Sequence, residues 1–195
     1  VGRLVASGQY SSTGSITVGS DEPTTEASGR VALSQSFYDE RGKVWKSQRH
    51  KIDPADGSDD DNLQSLTWYD ADGRPVKQDG GQLTKTAYDR LGRATDSFVL
   101  ASDNDSGYSD ADDVTGDIVV EQHVMGYNAT TGLLELETTV YRGPADVGMS
   151  QTAGKLDTNS DSTGLKATTS DLHGWHQVRA YWYDTTNRLA EEIDF

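Results

Sequence analysis

One hexapeptide recurs along this chain, and it constrains the fold more than any other feature. Tyr38-Asp39-Glu40-Arg41-Gly42-Lys43, Tyr69-Asp70-Ala71-Asp72-Gly73-Arg74 and Tyr88-Asp89-Arg90-Leu91-Gly92-Arg93 are near-identical in pattern. Tyr183-Asp184-Thr185-Thr186-Asn187-Arg188 repeats it with Asn in the Gly place. Tyr127-Asn128-Ala129-Thr130-Thr131-Gly132-Leu133 is a looser copy, one residue longer and without a basic residue after Gly. Gly2-Arg3-Leu4-Val5 matches the back half of a further copy. Five of the nine tyrosines therefore stand in one context, and a recurring unit of this kind has to be read before anything else.

The chemistry of the unit is that of a β-hairpin corner. Asp at the first turn position accepts hydrogen bonds from backbone N–H groups two residues on, which closes a type I turn. Gly three positions later takes a positive φ without a Cβ penalty, giving the turn-plus-bulge that joins antiparallel strands. Asn187 is the next-best residue for such a position. Tyr ends the incoming strand, and the basic residue opens the outgoing one.

The flanks carry strand character. Residues 30–38, 63–69, 82–88, 117–127 and 176–183 read as incoming strands; 43–52, 94–100, 133–142 and 188–195 read as their returns. Corners are placed near 38–43, 69–74, 88–93, 127–133 and 183–189, with a partial repeat over 1–10. Acidic or Gly/Ser/Thr-rich stretches at 53–62, 102–115 and 143–170 read as insertions looping over the surface. Residues 1–195 are expected to form one all-β segment of antiparallel hairpins in a spiralling sheet, part of a shell, barrel or fibre.

Composition narrows the partners. Apolar residues make up 33% of the chain, which predicts a thin core. The net charge of −15 repels phosphate backbones and anionic lipid, so nucleic acid is not an expected partner. Absence of Cys excludes disulfides and thiolate metal sites. No apolar run reaches the ~20 residues of a membrane span.

Strand, Tyr-Asp-x-x-Gly-Arg, strand, repeated at spacings down to 19 residues between Tyr69 and Tyr88, resembles the Rhs/YD-repeat family of bacterial Rhs toxins, toxin-complex C components and teneurins. The resemblance covers essentially the whole chain. It implies a β-ribbon winding into a hollow shell, with aromatics of successive repeats stacked along the wall. It further implies an extracellular or cell-surface setting, and structural, adhesive or toxin-enclosing roles. Self-processing members carry an Asp-Pro-x-Gly-Leu element. The nearest string here, Asp53-Pro54-Ala55-Asp56-Gly57, lacks that context, so self-cleavage is not carried over.

Few residues offer other chemistry. Asp103, Asp105, Asp110, Asp112 and Asp113, with Gly107 among them, resemble a hard-cation loop, since Ca²⁺ is held by clustered oxygens. Gly107 is one place early for an EF-hand, and no Glu closes the loop. Asp53, Asp56, Asp59, Asp60 and Asp61 form a less patterned cluster, and Asp157, Asn159 and Asp161 a weaker one. His173 and His176 would point apart on a strand, and His50 and His123 read as structural. Asn104 and Asn128 begin glycosylation sequons. Phe37, Trp68 and Trp182 precede motif tyrosines and read as inter-repeat stacking partners, with a sugar platform as the functional alternative. No nucleophile elbow or phosphate loop is present, so no enzyme activity is expected.

The two terminal strands carry a last expectation. Residues 1–10 and 188–195 read as return strands with open edges, Val5 and Ile193 leaving them partly apolar. Such edges would join copies head to tail into a filament or ring.

Overall fold

The computed structural model describes residues 3–11, 28–142, 155–156 and 174–195. Every regular element among them is a strand, and the fold is all-β. The chain divides into two compact units, Val1–Gly81 and Gln82–Phe195.

In the first unit, β1 (Ala6–Tyr10), β2 (Arg30–Tyr38), β3 (Val44–Ile52), β4 (Asp59–Tyr69) and β5 (Pro75–Asp79) form an antiparallel meander. In the second, β6 (Leu83–Tyr88), β7 (Ala94–Ser102), β8 (Ile118–Tyr127), β9 (Leu134–Arg142), β10 (Gly174–Tyr183) and β11 (Leu189–Asp194) do the same. Strands contiguous in sequence and joined by short turns pair with one another, because closing a short loop costs least.

Pairing differs from expectation in three places. β4 begins at Asp59 rather than at residue 63, so the last four residues of the first acidic insertion are strand. Opposite charge explains the override of propensity: Asp61 lies across from Lys51, and Asp59 contacts Arg30 and His50. β5 is a further return strand, not expected from sequence because five residues starting with Pro give a weak signal. The 102–115 insertion is not a solvated loop throughout. Its Ala111 and Val114 are buried and cover one face of the sheet.

That covered face holds the principal core. Phe98, Leu100, Val114, Val119, Val140 and Leu156 form one buried cluster, with Leu83 packed against it. Register produces it: Leu83 faces Leu100, Leu100 faces Val119, and Gln122 separates Phe98 from Val140 in the same cross-strand row. Gln122 is 2% exposed and tolerable there because its Oε1 accepts the Leu156 N–H at 2.8 Å. The first unit buries less, chiefly Leu33 and Val76, as the low apolar fraction predicts. Arg30 is also buried in that unit, donating Nε to the Gly57 carbonyl at 3.0 Å.

Candidate functional site

The corners repeat one geometry. At Asp39, Asp70, Asp89 and Asp184 the backbone N–H donates to the carbonyl of the basic residue four positions on, at 2.8–2.9 Å. The N–H of Gly42, Gly73, Gly92 or Asn187 returns to the Asp carbonyl at 2.9–3.1 Å. The φ angles at these four residues are 81°, 79°, 81° and 63°, and Gly132 in the longer copy has 74°. Each corner also carries a bulge, because the residue before Tyr pairs two positions beyond the partner of Tyr itself.

The Asp side chain does more than close a turn two residues on. Its Oδ1 accepts the N–H of Lys43, Arg74, Arg93 or Arg188, four positions along, at 2.7–3.0 Å. Where that residue is Arg, Nε donates to the other carboxylate oxygen, at 2.6 Å for Arg74 and 2.7 Å for Arg93. A bulge brings position six of the motif back over position two, which a simple two-residue offset does not show. Asn128 accepts from the N–H groups of Thr130 and Thr131 instead, as suits its longer loop.

The same basic residue reaches the next corner. Arg3 lies over the Tyr38 ring at 4.9 Å, Lys43 over Tyr69 at 5.8 Å, and Arg93 over Tyr127 at 4.3 Å. Each of those tyrosines donates its hydroxyl to the carbonyl following that cation, Leu4, Val44 or Ala94, at 2.8 Å. Arg93 further donates to the Gly132 carbonyl, and Arg41 to those of Asp70 and Ala71. One corner is thus bolted to the next by a cation on a ring and a phenol on a carbonyl. Each joint contributes on the order of 1–2 kcal/mol where partly shielded. Leu133 offers no cation to Tyr183, so the ladder changes character there.

Among the described residues, the contacts between successive corners at Tyr38, Tyr69 and Tyr127 are cation-on-ring. Phe37 meets Trp45 at 6.1 Å, but both belong to one hairpin. Trp68 is covered by Lys77 at 4.6 Å, and Trp182 is 46% exposed.

Two predictions arise from the corners. Gly73→Val and Gly92→Val should each destabilise by more than ~1 kcal/mol, since a β-branched residue fits poorly at positive φ. At Gly73 a Cβ would also sit 3.1 Å from Lys43 Cε. Asn187→Gly should be neutral or slightly stabilising. Urea midpoints at constant m-value check all three; a stabilised valine variant would refute the corner assignment.

The second concerns acid. Partial burial opposes ionisation of Asp39 and Asp70, yet the N–H of Lys43 and Arg74, with Arg41 and Arg74 side chains, hold both below the usual carboxylate range. Asp89 is lowered chiefly by the Arg93 N–H. Asp184 falls to about 2, first through the Arg188 N–H and then the Thr186 hydroxyl. A carboxylate lowered on folding stabilises fully above its unfolded value near 3.9, and that contribution disappears as pH falls through the folded value. Stability should hold from neutral pH to about 4 and drop between about 4 and 2. Thermal melts across that window test it, and a flat profile to pH 2 would count against the Asp caps.

The acidic loop holds a cation, but it is the chain's own. Lys85 Nζ lies 2.6 Å from Asp105 Oδ1 and 2.7 Å from Asp117 Oδ2, with all three side chains at most 5% exposed. It also donates to the Asp113 carbonyl. Asp110 caps Ser106 and Gly107, and Asp113 caps Thr115; the resulting hydrogen bonds, to the Ser106 and Thr115 N–H groups first, lower both carboxyl pKa values. Asp103 and Asp112 complete the expected calcium set, and no three His, Asp or Glu side chains among the described residues converge on one point. In the other cluster, Asp53 and Asp56 cap Ala55 and Ser58. Residues 157, 159, 161 and His173 lie outside the described residues. Lys85 and Asp117 are what sequence reasoning missed: a lysine alternating with apolar residues in a strand gives no sign that it points inward.

Both described histidine side chains sit in networks. His50 bridges Asp59 at 2.8 Å and Gln35 at 2.7 Å. His123 contacts Glu121 at 2.7 Å and Thr139 at 3.0 Å, within an open 190 Å³ groove also lined by Glu137 and Arg179. Among the described residues no helix is long and apolar enough to cross a membrane.

No protein-family model matches the chain, and no curated protein does. Solved structures that it resembles include the crystal structure of TcdB2-TccC3-Cdc42, at 14% identity and TM-score 0.35, over 84% of this chain and 8% of that one. A second is the Photorhabdus luminescens Tc holotoxin pore with the TccC3 D651A mutation, at 14% identity and TM-score 0.30, over 98% and 10%. The chain thus spans about a tenth or less of the length of the structures it matches. Among the described residues, four Tyr-Asp corners with a bulge at each Tyr recur along antiparallel all-β meanders.

Proposed function

We propose that the chain is a wall segment: a non-catalytic scaffold in which YD hairpins add side by side into a shell or fibre outside the cell. The observation that carries this reading is the corner ladder. Its cation–ring and phenol–carbonyl joints link one repeat to the next, which is what a repeat array needs in order to bury its faces. Neighbouring repeats, or further copies meeting at strand edges, are the natural partners. Imaging of the full-length protein tests the proposal. A strand ribbon closed into a hollow body or stacked into a fibre supports it; a compact globule built on another plan overturns it. A polypeptide enclosed within that body would make the segment a cocoon wall.

An adhesive role is favoured by the exposed ring of Trp182, whereas Lys77 already occupies Trp68. Glycan-array binding lost in Trp182→Ala, with the melting temperature unchanged, would support it; an array without signal from the wild-type chain would dismiss it.

A further inference from the structure

The geometry points to a covalent cross-link: an amide bond between Lys85 and Asp117, formed by the protein itself with Asp105 as proton carrier. Lys85 lies on β6 opposite Phe98, so its side chain enters the dry side of the sheet. Its ammonium is 1% exposed and meets two carboxylates, one 5% and one 0% exposed. A single carboxylate would satisfy a buried lysine; here two meet the same ammonium.

The two carboxylates are not equivalent. Asp105 Oδ1 receives a hydrogen bond from Nζ at 2.6 Å, a ready path for a proton. Asp117 Oδ2 is equally close, at 2.7 Å, yet has no hydrogen-bond partner among the described residues, because Nζ approaches it outside hydrogen-bonding angles. The carboxyl carbon of Asp117 is at most one C–O bond further. Its other oxygen, Oδ1, is held by the Asn104 N–H at 3.1 Å and by the Asn104 side chain once its amide nitrogen is turned toward it. A nucleophile, a proton acceptor, an electrophilic carbon and a donor to the developing oxyanion thus occupy one buried cell.

The step balances without a co-reactant. The Lys85 ammonium passes a proton to Asp105, and the freed lone pair attacks Cγ of Asp117. The Nζ–Cγ bond forms and the Cγ–Oδ2 bond breaks. Asp105 delivers that proton and a second one from Nζ to the departing oxygen, which leaves as water. No oxidation state changes, and Asp105 ends as it began. Ammonium and carboxylate become a neutral amide, a direction that burial favours because it removes two charges from a buried site. The product ties β6 to the residue immediately before β8, fixing the 102–117 cover over the core.

Intact mass spectrometry of the freshly purified chain, unfolded only for injection, decides the matter. The expected mass is that of the sequence less one water. Trypsin should leave Lys85 uncut and release residues 78–90 joined to 94–142. Lys85→Arg should restore the full mass, and Asp117→Asn should lose one ammonia instead of one water. A full-mass wild-type chain, shown by its melting transition to be folded before injection, overturns the proposal. So does a water loss that maps elsewhere or persists in Lys85→Arg.

Discussion

Lys85→Met is expected to destabilise the folded state by about 3–5 kcal/mol, the usual cost of removing one partner from a buried ionic group. Asp105 and Asp117 would remain close together, at 5% and 0% side-chain exposure, without the Lys85 ammonium. The Asp113 carbonyl would lose its donor as well. Methionine matches the lysine stem in length, so little of the loss comes from a cavity. The triple variant Lys85→Met, Asp105→Leu, Asp117→Leu should recover most of it, since apolar replacement of a whole buried ion cluster is often neutral or better. Urea unfolding of the wild type, single and triple variants checks the series. A single variant within ~0.5 kcal/mol of wild type, the range of ordinary surface changes, would mean that the cluster is hydrated in solution. Lys85→Arg separates charge from covalency. It keeps a cation between the two carboxylates but cannot make the amide, so its stability reports the ion pair alone.

The corners were legible because their chemistry is local. Asp, Gly and the basic residue act on groups within five positions of one another, and the φ angles at Gly42, Gly73, Gly92, Gly132 and Asn187 follow from residue type. Strand ends fell within a few residues for the same reason, except at Asp59, where cross-strand charge outweighs a poor intrinsic preference. What the sequence did not disclose is long-range. That Arg93 covers Tyr127 depends on how one hairpin lies against the next. Lys85 and Asp117 meet through a folded insertion whose composition looked wholly solvated. An Asp-rich loop announces that a cation belongs there; it does not say whether the cation comes from solution or from a lysine on a neighbouring strand.

Phe98→Ala should match Lys85→Met in size, at about 3–5 kcal/mol, through a different mechanism. Phe98 is 1% exposed and sits between Lys85 and Gln122 in its cross-strand row, among Leu100, Val119, Val140 and Leu156. Truncation removes most of an aromatic side chain, and the surrounding strands cannot close the gap, because their spacing is set by backbone hydrogen bonds. Lys155 would also lose the ring beneath its ammonium, now 5.5 Å away. Few apolar side chains are buried among the described residues, so one large cavity removes a sizeable share of the total stability. Leu91→Ala serves as the control. That side chain is 77% exposed at a corner, and its loss should stay within about 0.5 kcal/mol. If Phe98→Ala cost no more than Leu91→Ala, the cluster around Phe98 would not be the core that holds the second unit together. If the loss is as large as expected, amide protection should fall first along β7 and β8, the strands that meet at Phe98 and Gln122.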